Sequence, residues 1–229
     1  MRLTDRIEPG VRVLLVGINP GVRSAETGHH FAGPSNRFWK LLFEAGVIPE
    51  PITPEGDVRL PEWGLGMTNL IARPSPGIDD LRPAEYLEGW KILEAKIARV
   101  RPEVVAFVGV MMYRALWRVF GHEKSPVITP GFQPATVHGA RIFVLPNPSG
   151  RNAHFAYADM LAAFRSLARA IRRLPSERSS TGAASSEKSA AGGAGRSRRA
   201  SGTRTRTPPS TPAAGPTRRA TRKRARSRS

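Results

Sequence analysis

The stretch VRVLLVGINPG, residues 11–21, decides the fold because a strand and an abrupt turn meet in it. Its first part, residues 11–17, is a nearly continuous apolar run, which is typical of a strand covered on both faces in a parallel sheet. Pro20 and Gly21 then force the chain to turn at once. Asn19 stands between the strand and the turn and gains nothing there as a packing residue. The stretch therefore predicts a polar side chain presented at the end of a buried strand.

Further strands alternate with helices along the chain. Apolar runs of the same kind occur at residues 103–109 and 141–145, and a shorter strand is predicted near residues 67–71. Four helices are predicted. The first is capped by Ser35, ends at Gly46 and contains Phe38, Trp39, Leu42 and Phe43; the second begins at Pro83 and has on one face Leu87, Trp90, Leu93 and Ile97. The third lies near residues 111–120, and the last has on one face Tyr157, Met160, Leu161, Phe164, Ala168 and Ile171. This order predicts an α/β fold, a three-layer α/β/α domain with a central, mostly parallel sheet, in which sites gather at the carboxyl ends of strands.

The chain is strongly basic and contains no cysteine. Its 229 residues include 36 Lys and Arg against 18 Asp and Glu, a formal charge of +18 that points to polyanions such as nucleic acid. No run of 18 apolar residues occurs, and the first ten residues lack the apolar core of a signal peptide, so we expect a soluble intracellular protein without a membrane partner. The absence of Cys excludes disulfides, thiol nucleophiles, zinc fingers and iron–sulfur clusters.

The composition changes near Pro175 and divides the chain into a folded domain, residues 1–175, and a tail, residues 176–229. The tail holds no Leu, Ile, Val, Met or aromatic residue, so it cannot bury enough apolar surface to order itself and is predicted to be disordered. It carries 14 Lys and Arg against two Glu, which leaves a charge of +6 on residues 1–175. We expect the tail to contact the nucleic acid backbone, the alternative being a solubilising or targeting extension, and its Ala and Arg content favours a bacterial host.

Polar motifs follow the strands. GINPG at residues 17–21 and GHHFAGPSNRFWK at residues 28–40 come after the first strand, and PNPSG at residues 146–150 comes after the last. None of them contains the glycine pattern of dinucleotide-binding proteins, the Gly-Lys-Ser/Thr ending of a phosphate loop or the serine motif of esterases. His29 and His30 are adjacent, and adjacent side chains are expected to diverge, so neither a metal site nor a cofactor is predicted.

In combination, the motifs resemble the mismatch-specific uracil/thymine-DNA glycosylase family of the uracil-DNA glycosylase superfamily. Four motifs occur in the order of the family: GINPG, GHHFAGPSNRFWK, GMTNLIARPSPG at residues 66–77 and LPNPSG at residues 145–150. The resemblance extends from about residue 11 to residue 171 and leaves the tail outside. It implies a monofunctional glycosylase that flips uracil, thymine or another damaged pyrimidine out of a G·U or G·T mismatch, hydrolyses its bond to the sugar and leaves an abasic site for base excision repair.

Such hydrolysis passes through an oxocarbenium-like sugar, so it needs an oriented water and a pocket for the departing base. The amide of Asn19 can accept a hydrogen from that water and aim it, which is also the role of this Asn in the family and predicts slow, positioning-dominated hydrolysis. The resemblance further implies that Phe31 stacks on the flipped base, that His30 donates a hydrogen bond to the base or sugar, and that Ile18 is among the residues that bind the base. The alternatives are that Asn19 caps the turn and that Phe31 is ordinary core.

Two other motifs add candidate residues for the base and the DNA. Asn69 resembles a family position that faces the pyrimidine edge, and Ser75 lies farther along the same loop; both could instead be turn residues. In the last motif, the residues predicted to contact DNA are Asn147, Ser149, Gly150 and Arg151.

Ser149 and the amides around it, including that of Gly150, can bind phosphate oxygens. Arg151 stands where the uracil-specific branch of the family has a Leu wedge, and it resembles the thymine-acting branch, in which Arg fills the gap left by the flipped nucleotide. A solvated surface cation is the alternative. Asn147 stands where more active branches have a His that steadies the leaving oxygen, so weaker assistance to the leaving base is implied.

Lys40, Lys91 and Lys96 lie on predicted helices rather than in motif loops, so attack on the sugar by an amine is not indicated. A competing hypothesis keeps the fold without catalysis and makes the chain a nucleoid-associated or RNA-binding protein that relies on its basic tail. The ordered motifs argue against it, because a passive binder needs none of them. We expect a monomer in the cytoplasm, associated with the nucleoid, that acts on double-stranded DNA containing a mismatched or damaged pyrimidine.

Overall fold

The chain folds around a five-stranded sheet. The computed structural model describes residues 3–119 and 127–175, and the predicted disorder of the tail lies outside these residues. The elements in chain order are β1 (Val13–Gly17), α1 (Val22–Thr27), α2 (Phe38–Glu44), a first 3₁₀ helix (Pro54–Trp63), β2 (Leu65–Asn69), a second 3₁₀ helix (Ile78–Asp80), α3 (Pro83–Val100), β3 (Val104–Val108), α4 (Val110–Val119), β4 (Gly131–Val137), β5 (Ala140–Leu145) and α5 (Tyr157–Arg172). No helix of the described ranges is both long and apolar enough to cross a membrane.

The strand order is β2-β1-β3-β5-β4, and only the edge strand β4 is antiparallel to its neighbour. In the parallel part Val13 is paired with Leu65 on one side and with Val104 on the other. The carboxyl ends of four strands therefore lie along one edge of the sheet. The predicted α/β class with a mostly parallel central sheet is confirmed.

Helices cover both faces of the sheet because residues along each strand point alternately to opposite sides. Val13 and Leu15 of β1 belong to a buried cluster with α2 and α5, whereas Leu14 and Val16 belong to a second cluster with α3 and α4. All five residues of β1 are buried. This two-sided burial explains why the strand reads as a continuous apolar run rather than as an alternating one.

Two helix details differ from the sequence predictions. Ser35 does not cap α2; the side chain of Asn36 accepts a hydrogen bond of 3.0 Å from the amide of Phe38 instead. On α3, Leu87 is exposed, and the neighbouring Tyr86 is buried in its place. The buried stripe of α3 also includes Gly89, which the apolar pattern could not reveal because glycine carries no side chain.

Gly89 lets α3 pack directly on the chain that follows β2. A Cβ atom at this position would lie 2.3 Å from the carbonyl oxygen of Leu70. Gly89→Ala gains about 1 kcal/mol of helix propensity but forces the backbone apart, and overpacking of this kind costs about 1–3 kcal/mol. We therefore expect a net loss of stability, measured by urea unfolding. Gly21→Ala is the matched control, since its added Cβ meets nothing within 4 Å; equal stability of the two variants would contradict the packing argument.

Four further elements were not predicted from the sequence: α1, β4 and the two 3₁₀ helices. β4 is mostly exposed, contains Pro134 and shifts its register against β5 between Phe132 and Thr136, so it lacks both a continuous and a regular alternating apolar pattern. The first 3₁₀ helix buries only Asp57 and Leu60 among its ten residues. Such short, half-exposed elements depend on tertiary contacts rather than on a local pattern.

Candidate active site

A cavity of about 400 Å³ opens where the strands end. The loops after β1, β2 and β5 enclose it, as expected for the carboxyl edge of a parallel sheet. Cavities of roughly 300–1,000 Å³ hold small organic ligands. Eight of the ten predicted site residues line this cavity, namely Ile18, Asn19, His30, Phe31, Asn69, Asn147, Ser149 and Arg151. Ser75 and Gly150 are not part of its lining.

The side-chain amide of Asn19 is held in one orientation. Its Nδ2 atom donates to the carbonyl oxygens of Pro20 and Arg73, each at 3.1 Å, and to Oγ of Ser75 at 2.9 Å. Carbonyl oxygens can only accept, so the amide atom that faces them is the nitrogen. The Oδ1 atom makes no hydrogen bond within residues 3–119 and 127–175. It remains a free acceptor on a side chain that lines the cavity.

Ser75 orients this amide and is not among the residues that line the cavity, so the contact with a base predicted for it stays a prediction. Its Oγ donates to the carbonyl oxygen of Gly77 at 2.6 Å, so its one hydrogen is used and a lone pair is left to accept from Asn19. The Ser75 side chain is buried. One of these bonds lies within the loop after β2 and the other joins it to the loop after β1, so Ser75 acts as a positioning residue for Asn19.

Phe31 has one packed ring face and also lines the cavity. Its ring stacks on Phe38 with 3.9 Å between centroids and 17° between planes. Its backbone is left-handed, with φ +52, a conformation that costs about 1–3 kcal/mol for a residue other than glycine and is concentrated at functional sites. Ordinary core packing thus explains the contact with Phe38. It does not explain why Phe31 has a strained backbone or why it lines the cavity.

Gly17, the last residue of β1, lies directly beneath two cavity side chains. A Cβ atom there would lie 2.5 Å from Oδ1 of Asn69 and 3.3 Å from Cζ of Phe31. The Asn69 side chain makes no hydrogen bond within the described residues, so both its donor and its acceptor are available to a ligand. The absence of a side chain at Gly17 therefore leaves room for both the Phe31 ring and the Asn69 amide.

Asp57, which sequence reasoning missed, joins the site from the first 3₁₀ helix. Its fully buried carboxylate accepts from Nε of Arg6 and from the backbone amide of His30, both at 2.9 Å. It also lies 3.2 Å from Nδ1 of His29 and 3.1 Å from Nδ1 of His30. The two histidine rings therefore converge on one carboxylate, which corrects the expectation that they diverge. No local motif signals this, because Asp57 lies in a polar segment 27 residues from His30.

His30 itself is almost entirely buried, with 1% of its surface exposed. Its backbone carbonyl accepts a hydrogen bond of 3.0 Å from the indole of Trp39. Its Nε2 atom is the single buried side-chain nitrogen or oxygen of the described residues that lacks a hydrogen-bond partner. An unpartnered buried polar atom is costly, and this one belongs to a ring that lines the cavity.

The environment of Asp57 makes the fold sensitive to acid. Burial raises the pKa of Asp57, but hydrogen bonds from His30, His29 and Arg6 outweigh burial and lower the pKa from 3.8 to about 2. Because the folded-state pKa is the lower one, the stabilisation is complete above about pH 4 and is lost as the pH falls through about 2.

The shift is equivalent to roughly 2 kcal/mol of unfolding free energy. We expect Asp57→Asn to remove that part of the acid destabilisation, so that its unfolding free energy changes less between pH 4 and pH 2 than that of the wild type. Urea unfolding at several pH values measures the two slopes. Identical slopes would show that this carboxylate is not held in its charged form by its neighbours.

The loop after β5 is held by a hydrogen bond within the loop and by contacts with the loop before α2. Oδ1 of Asn147 accepts from the amide of Ser149 at 3.0 Å, and the carbonyl oxygen of Pro148 accepts from the amide of Arg37 at 3.0 Å. Gly150 packs so closely that a Cβ there would lie 2.6 Å from the carbonyl oxygen of Ser35. The contacts fix the loop beside the cavity, and the predicted DNA contacts of Ser149 and Gly150 stay predictions.

Arg151 joins two rims of the cavity. Its Nη2 donates to the carbonyl oxygen of Pro76 at 2.9 Å, and its side chain is exposed. The bond therefore links the loop after β5 to the loop after β2. An exposed hydrogen bond contributes little to stability, so a ligand can displace this one at small cost.

A cationic depression of about 550 Å³ lies beside the cavity. The guanidinium of Arg37 and the ammonium of Lys40 lie 6.0 and 5.4 Å from the ring centroid of Tyr157. Burial, followed by a hydrogen bond to Glu44, raises the pKa of Tyr157 to about 12. Asn152 also lines the depression, and its neighbour Arg151 lines the cavity, so the two lie close together.

The geometry defines a class of site, a cavity of nucleobase size with a fixed amide, an aromatic ring and cations at its rim. Comparisons with known proteins agree. Residues 4–170 match the model of the uracil DNA glycosylase superfamily. The chain belongs to this superfamily, and the resemblance inferred from the four motifs is confirmed.

Two known proteins illustrate the similarity. The chain is 40% identical over 147 residues to the G/U mismatch-specific uracil DNA glycosylase of Schizosaccharomyces pombe, a match that covers 62% of this chain and 45% of that protein. The chain thus spans about half the length of that relative. A candidate uracil DNA glycosylase from Methanosarcina acetivorans, solved by solution NMR, has the same fold with a TM-score of 0.50 and 17% identity, over 75% of this chain and 97% of the other.

Proposed function

We propose that this chain is a monofunctional DNA glycosylase that hydrolyses the bond between uracil and deoxyribose in G·U mismatches, accepts thymine or other damaged pyrimidines at the same site, and leaves an abasic site. The observation that carries the proposal is the orientation of Asn19, whose Nδ2 is bonded to three acceptors and whose Oδ1 is free at the cavity. Membership of the superfamily and the similarity to the G/U mismatch-specific glycosylase of S. pombe support it.

The reaction follows from two opposing free energies. Extruding a nucleotide from the duplex costs a few kcal/mol, least for a mismatched pair, and stacking of the base on Phe31 returns about 1–3 kcal/mol. Oδ1 of Asn19 then accepts a hydrogen bond from a water and aims its oxygen at the anomeric carbon. An amide is too weakly basic to remove the proton early, so the rate depends on placement of the water and on departure of the base.

The absence of a lysine from the lining of the cavity, among the described residues, supports hydrolysis by water alone. A glycosylase that also cuts the strand through a Schiff base needs an amine next to the sugar. Lys40 lies in the cationic depression instead, and its ammonium is 3.7 Å from Glu44. The expected product is therefore an intact strand with an abasic site.

Arg151 and the cationic depression are proposed to hold the DNA around the extruded nucleotide. Arg151 would leave Pro76 and occupy the gap in the base stack. Arg37 and Lys40 would meet a phosphate of the adjacent backbone, since phosphate contacts from such side chains fix the register of a protein on DNA without reading sequence.

An assay with labelled duplexes tests the function. Incubation with a G·U duplex, followed by alkali, is expected to give strand scission at the uracil, whereas without alkali the strand stays intact. An A·U duplex measures the preference for mismatches, and duplexes with thymine or damaged pyrimidines opposite G measure the range of substrates. Release of no base from any duplex would favour the non-catalytic nucleic-acid-binding protein.

Ser75→Ala tests the positioning of the amide. Loss of one neutral hydrogen bond that orients a catalytic group is expected to lower the single-turnover excision rate by roughly tenfold, with DNA affinity unchanged. Ser166→Ala on α5 is the control, because that side chain does not line the cavity. A rate equal to that of the wild type would mean that Pro20 and Arg73 suffice to hold Asn19.

We also propose that the basic tail adds sequence-independent affinity for the DNA backbone, which suits a monomer associated with the nucleoid in the cytoplasm. Deletion of residues 176–229 is expected to weaken binding to undamaged DNA and to reduce its dependence on salt. An unchanged salt dependence would leave the tail a solubilising or targeting extension.

A further inference from the structure

One face of α5 carries a row of arginines that the proposed function does not use. Arg165, Arg169 and Arg173 recur every four residues, so they lie above one another on the helix, about 6 Å apart along its axis. All three are exposed, and they lie opposite the buried face of α5 that includes Met160 and Phe164. Together they form the arginine row.

The charge of the arginine row is not neutralised by its surroundings. No guanidinium of the row has a hydrogen bond or an ion pair with another residue of the described ranges. Asp159, in the first turn, is the single acidic residue of α5, and β4 and β5, which pack beside this helix, contain none. The one acid of α2, Glu44, is engaged by Lys40 and Tyr157. The row is therefore available to an external anion.

Roles within the fold account for only part of the arginines on α5. Arg172 is directed to the end of α2, where a Cβ atom at Gly46 would lie 3.8 Å from its Nη1. Arg169 lies in the last turn, where a cation stabilises the helix dipole. Arg165 lies about two turns before the end of the helix and has neither role. A regular line of three unpaired cations matches a polyanion whose charges are also arranged in a line.

The arginine row lies on the flank of the domain, away from the cavity. α5 starts at Tyr157, which lines the cationic depression, and soon after its end the carbonyl oxygen of Pro175 accepts a hydrogen bond from Arg12, next to the start of β1. The helix therefore crosses the sheet from the edge with the cavity to the opposite edge. At 1.5 Å per residue, Arg165 lies about 12 Å and Arg173 about 24 Å from the start of the helix. No member of the row lines the cavity.

We propose that the arginine row binds the phosphate backbone of a second duplex segment while the edge with the cavity holds the first. Duplex DNA carries one charge per about 1.7 Å of its axis, so its backbone can meet every arginine of the row. A single duplex does not serve both surfaces, because about 24 Å corresponds to roughly seven base pairs, whereas DNA bends smoothly only over about 150. Two such surfaces let the protein pass directly from one DNA segment to another. This activity goes beyond the proposed function and does not require excision of a base.

Competitor-assisted dissociation measures direct transfer. Full-length protein bound to a fluorescent, undamaged duplex is mixed with increasing concentrations of the same duplex without label. A release rate that rises with competitor concentration reports a complex with two duplexes, and its slope gives the rate constant of transfer. The measurement is repeated at several salt concentrations, and the tail is present in every variant, so differences between variants do not arise from it.

A variant that combines Arg165→Gln, Arg169→Gln and Arg173→Gln tests the row. The logarithm of its transfer rate constant is expected to fall less steeply with the logarithm of salt concentration, by about 2.7 in slope, since each phosphate contact contributes about 0.9. The three changes to Lys instead of Gln keep the charges and should keep the wild-type slope. A wild-type slope in the glutamine variant would overturn the proposal and leave the row a solvated face or a contact for an acidic protein.

The matched control combines Lys91→Gln, Arg99→Gln and Arg118→Gln. It removes the same charge from exposed positions on α3 and α4, which cover the other face of the sheet, and Arg99 and Arg118 also lie in the last turns of their helices. The control is expected to keep a slope close to that of the wild type. An equal decrease in the control and in the glutamine variant would mean that net charge alone matters, and would overturn the proposal.

Uracil excision separates the arginine row from the surface that holds the first duplex. In the glutamine variant, neither the maximal single-turnover rate on a G·U duplex nor the duplex concentration that gives half of that rate should change. A several-fold rise in that concentration would place the row on the first duplex and contradict the proposal. If the wild type releases no base, the proposed function fails, whereas the transfer assay on undamaged DNA still decides the role of the row.

Discussion

Asn19→Ala is expected to lower the single-turnover rate of uracil excision by about 100- to 1,000-fold. Misplacement of a reacting group by about 1 Å can cost about 100-fold, and this variant leaves the water with no side-chain acceptor at all. Binding to a G·U duplex should change little, because the nitrogen of the amide is bonded to the loops after β1 and β2 and is not available to a phosphate. Rate and affinity measured on the same duplex separate the two effects.

Gln133→Ala provides the matched control for loss of an amide. The Gln133 side chain donates only to carbonyl oxygens on and before β4, at 3.0 and 3.1 Å, and does not line the cavity. It should excise uracil at the wild-type rate. If Asn19→Ala cleaves as fast as Gln133→Ala, the proposed water-positioning role fails even when the protein is a glycosylase.

The same geometry predicts that Asn19→Asp is slower than the wild type at neutral pH. The carboxylate would place an oxygen against the carbonyl oxygens of Pro20 and Arg73, where the nitrogen now donates. Repulsion between these acceptors should move the side chain and the loop. An increase in rate would indicate that basicity at this position matters more than its alignment.

Phe31→Ala has the second largest expected effect, a loss of about 5- to 150-fold in excision, which corresponds to the 1–3 kcal/mol of base stacking. The ring is already held on one face by Phe38, so little order has to be created when the base arrives. Single-turnover rates on G·U duplexes measure the loss, and the effect should be smaller on a duplex that contains a poorly paired damaged base, for which extrusion is easier.

Two further variants distinguish stacking from stability. Phe31→Tyr keeps the ring and should retain most activity, whereas Phe132→Ala removes an aromatic residue on β4, which does not line the cavity, and should leave excision unchanged. If Phe31→Tyr is as slow as Phe31→Ala while both remain folded, the ring is not acting as a stacking platform.

The parallel core could be predicted from the sequence because its burial is visible in each strand alone. Residues of β1, β3 and β5 are buried on both faces, and this produces the apolar runs on which the prediction rested. β4 could not be predicted in this way, since an exposed edge strand with a proline owes its place to pairing with β5. The cap predicted at Ser35 was wrong for a similar reason. Ser35 and Asn36 are neighbouring polar residues, and which of them bonds to the start of α2 depends on the turn before the helix.

The candidate site was predictable where its residues follow strands. Asn19, Asn69 and Asn147 all come near a strand end and all line the cavity. Asp57 and the role of Ser75 were not predictable, because both act through hydrogen bonds to residues 27 and 56 positions away. Sequence patterns locate the groups that face a ligand, whereas the groups that orient them are identified only by distances.

The most direct test of the account is a crystal structure of the protein bound to a G·U duplex in which a 2′-fluorinated arabino sugar slows hydrolysis. We predict that the uracil is stacked on Phe31 and that a water lies within hydrogen-bond distance of Oδ1 of Asn19, on the side of the anomeric carbon opposite the base. A uracil bound elsewhere, or a sugar too far from Asn19 for one water to bridge them, would contradict it.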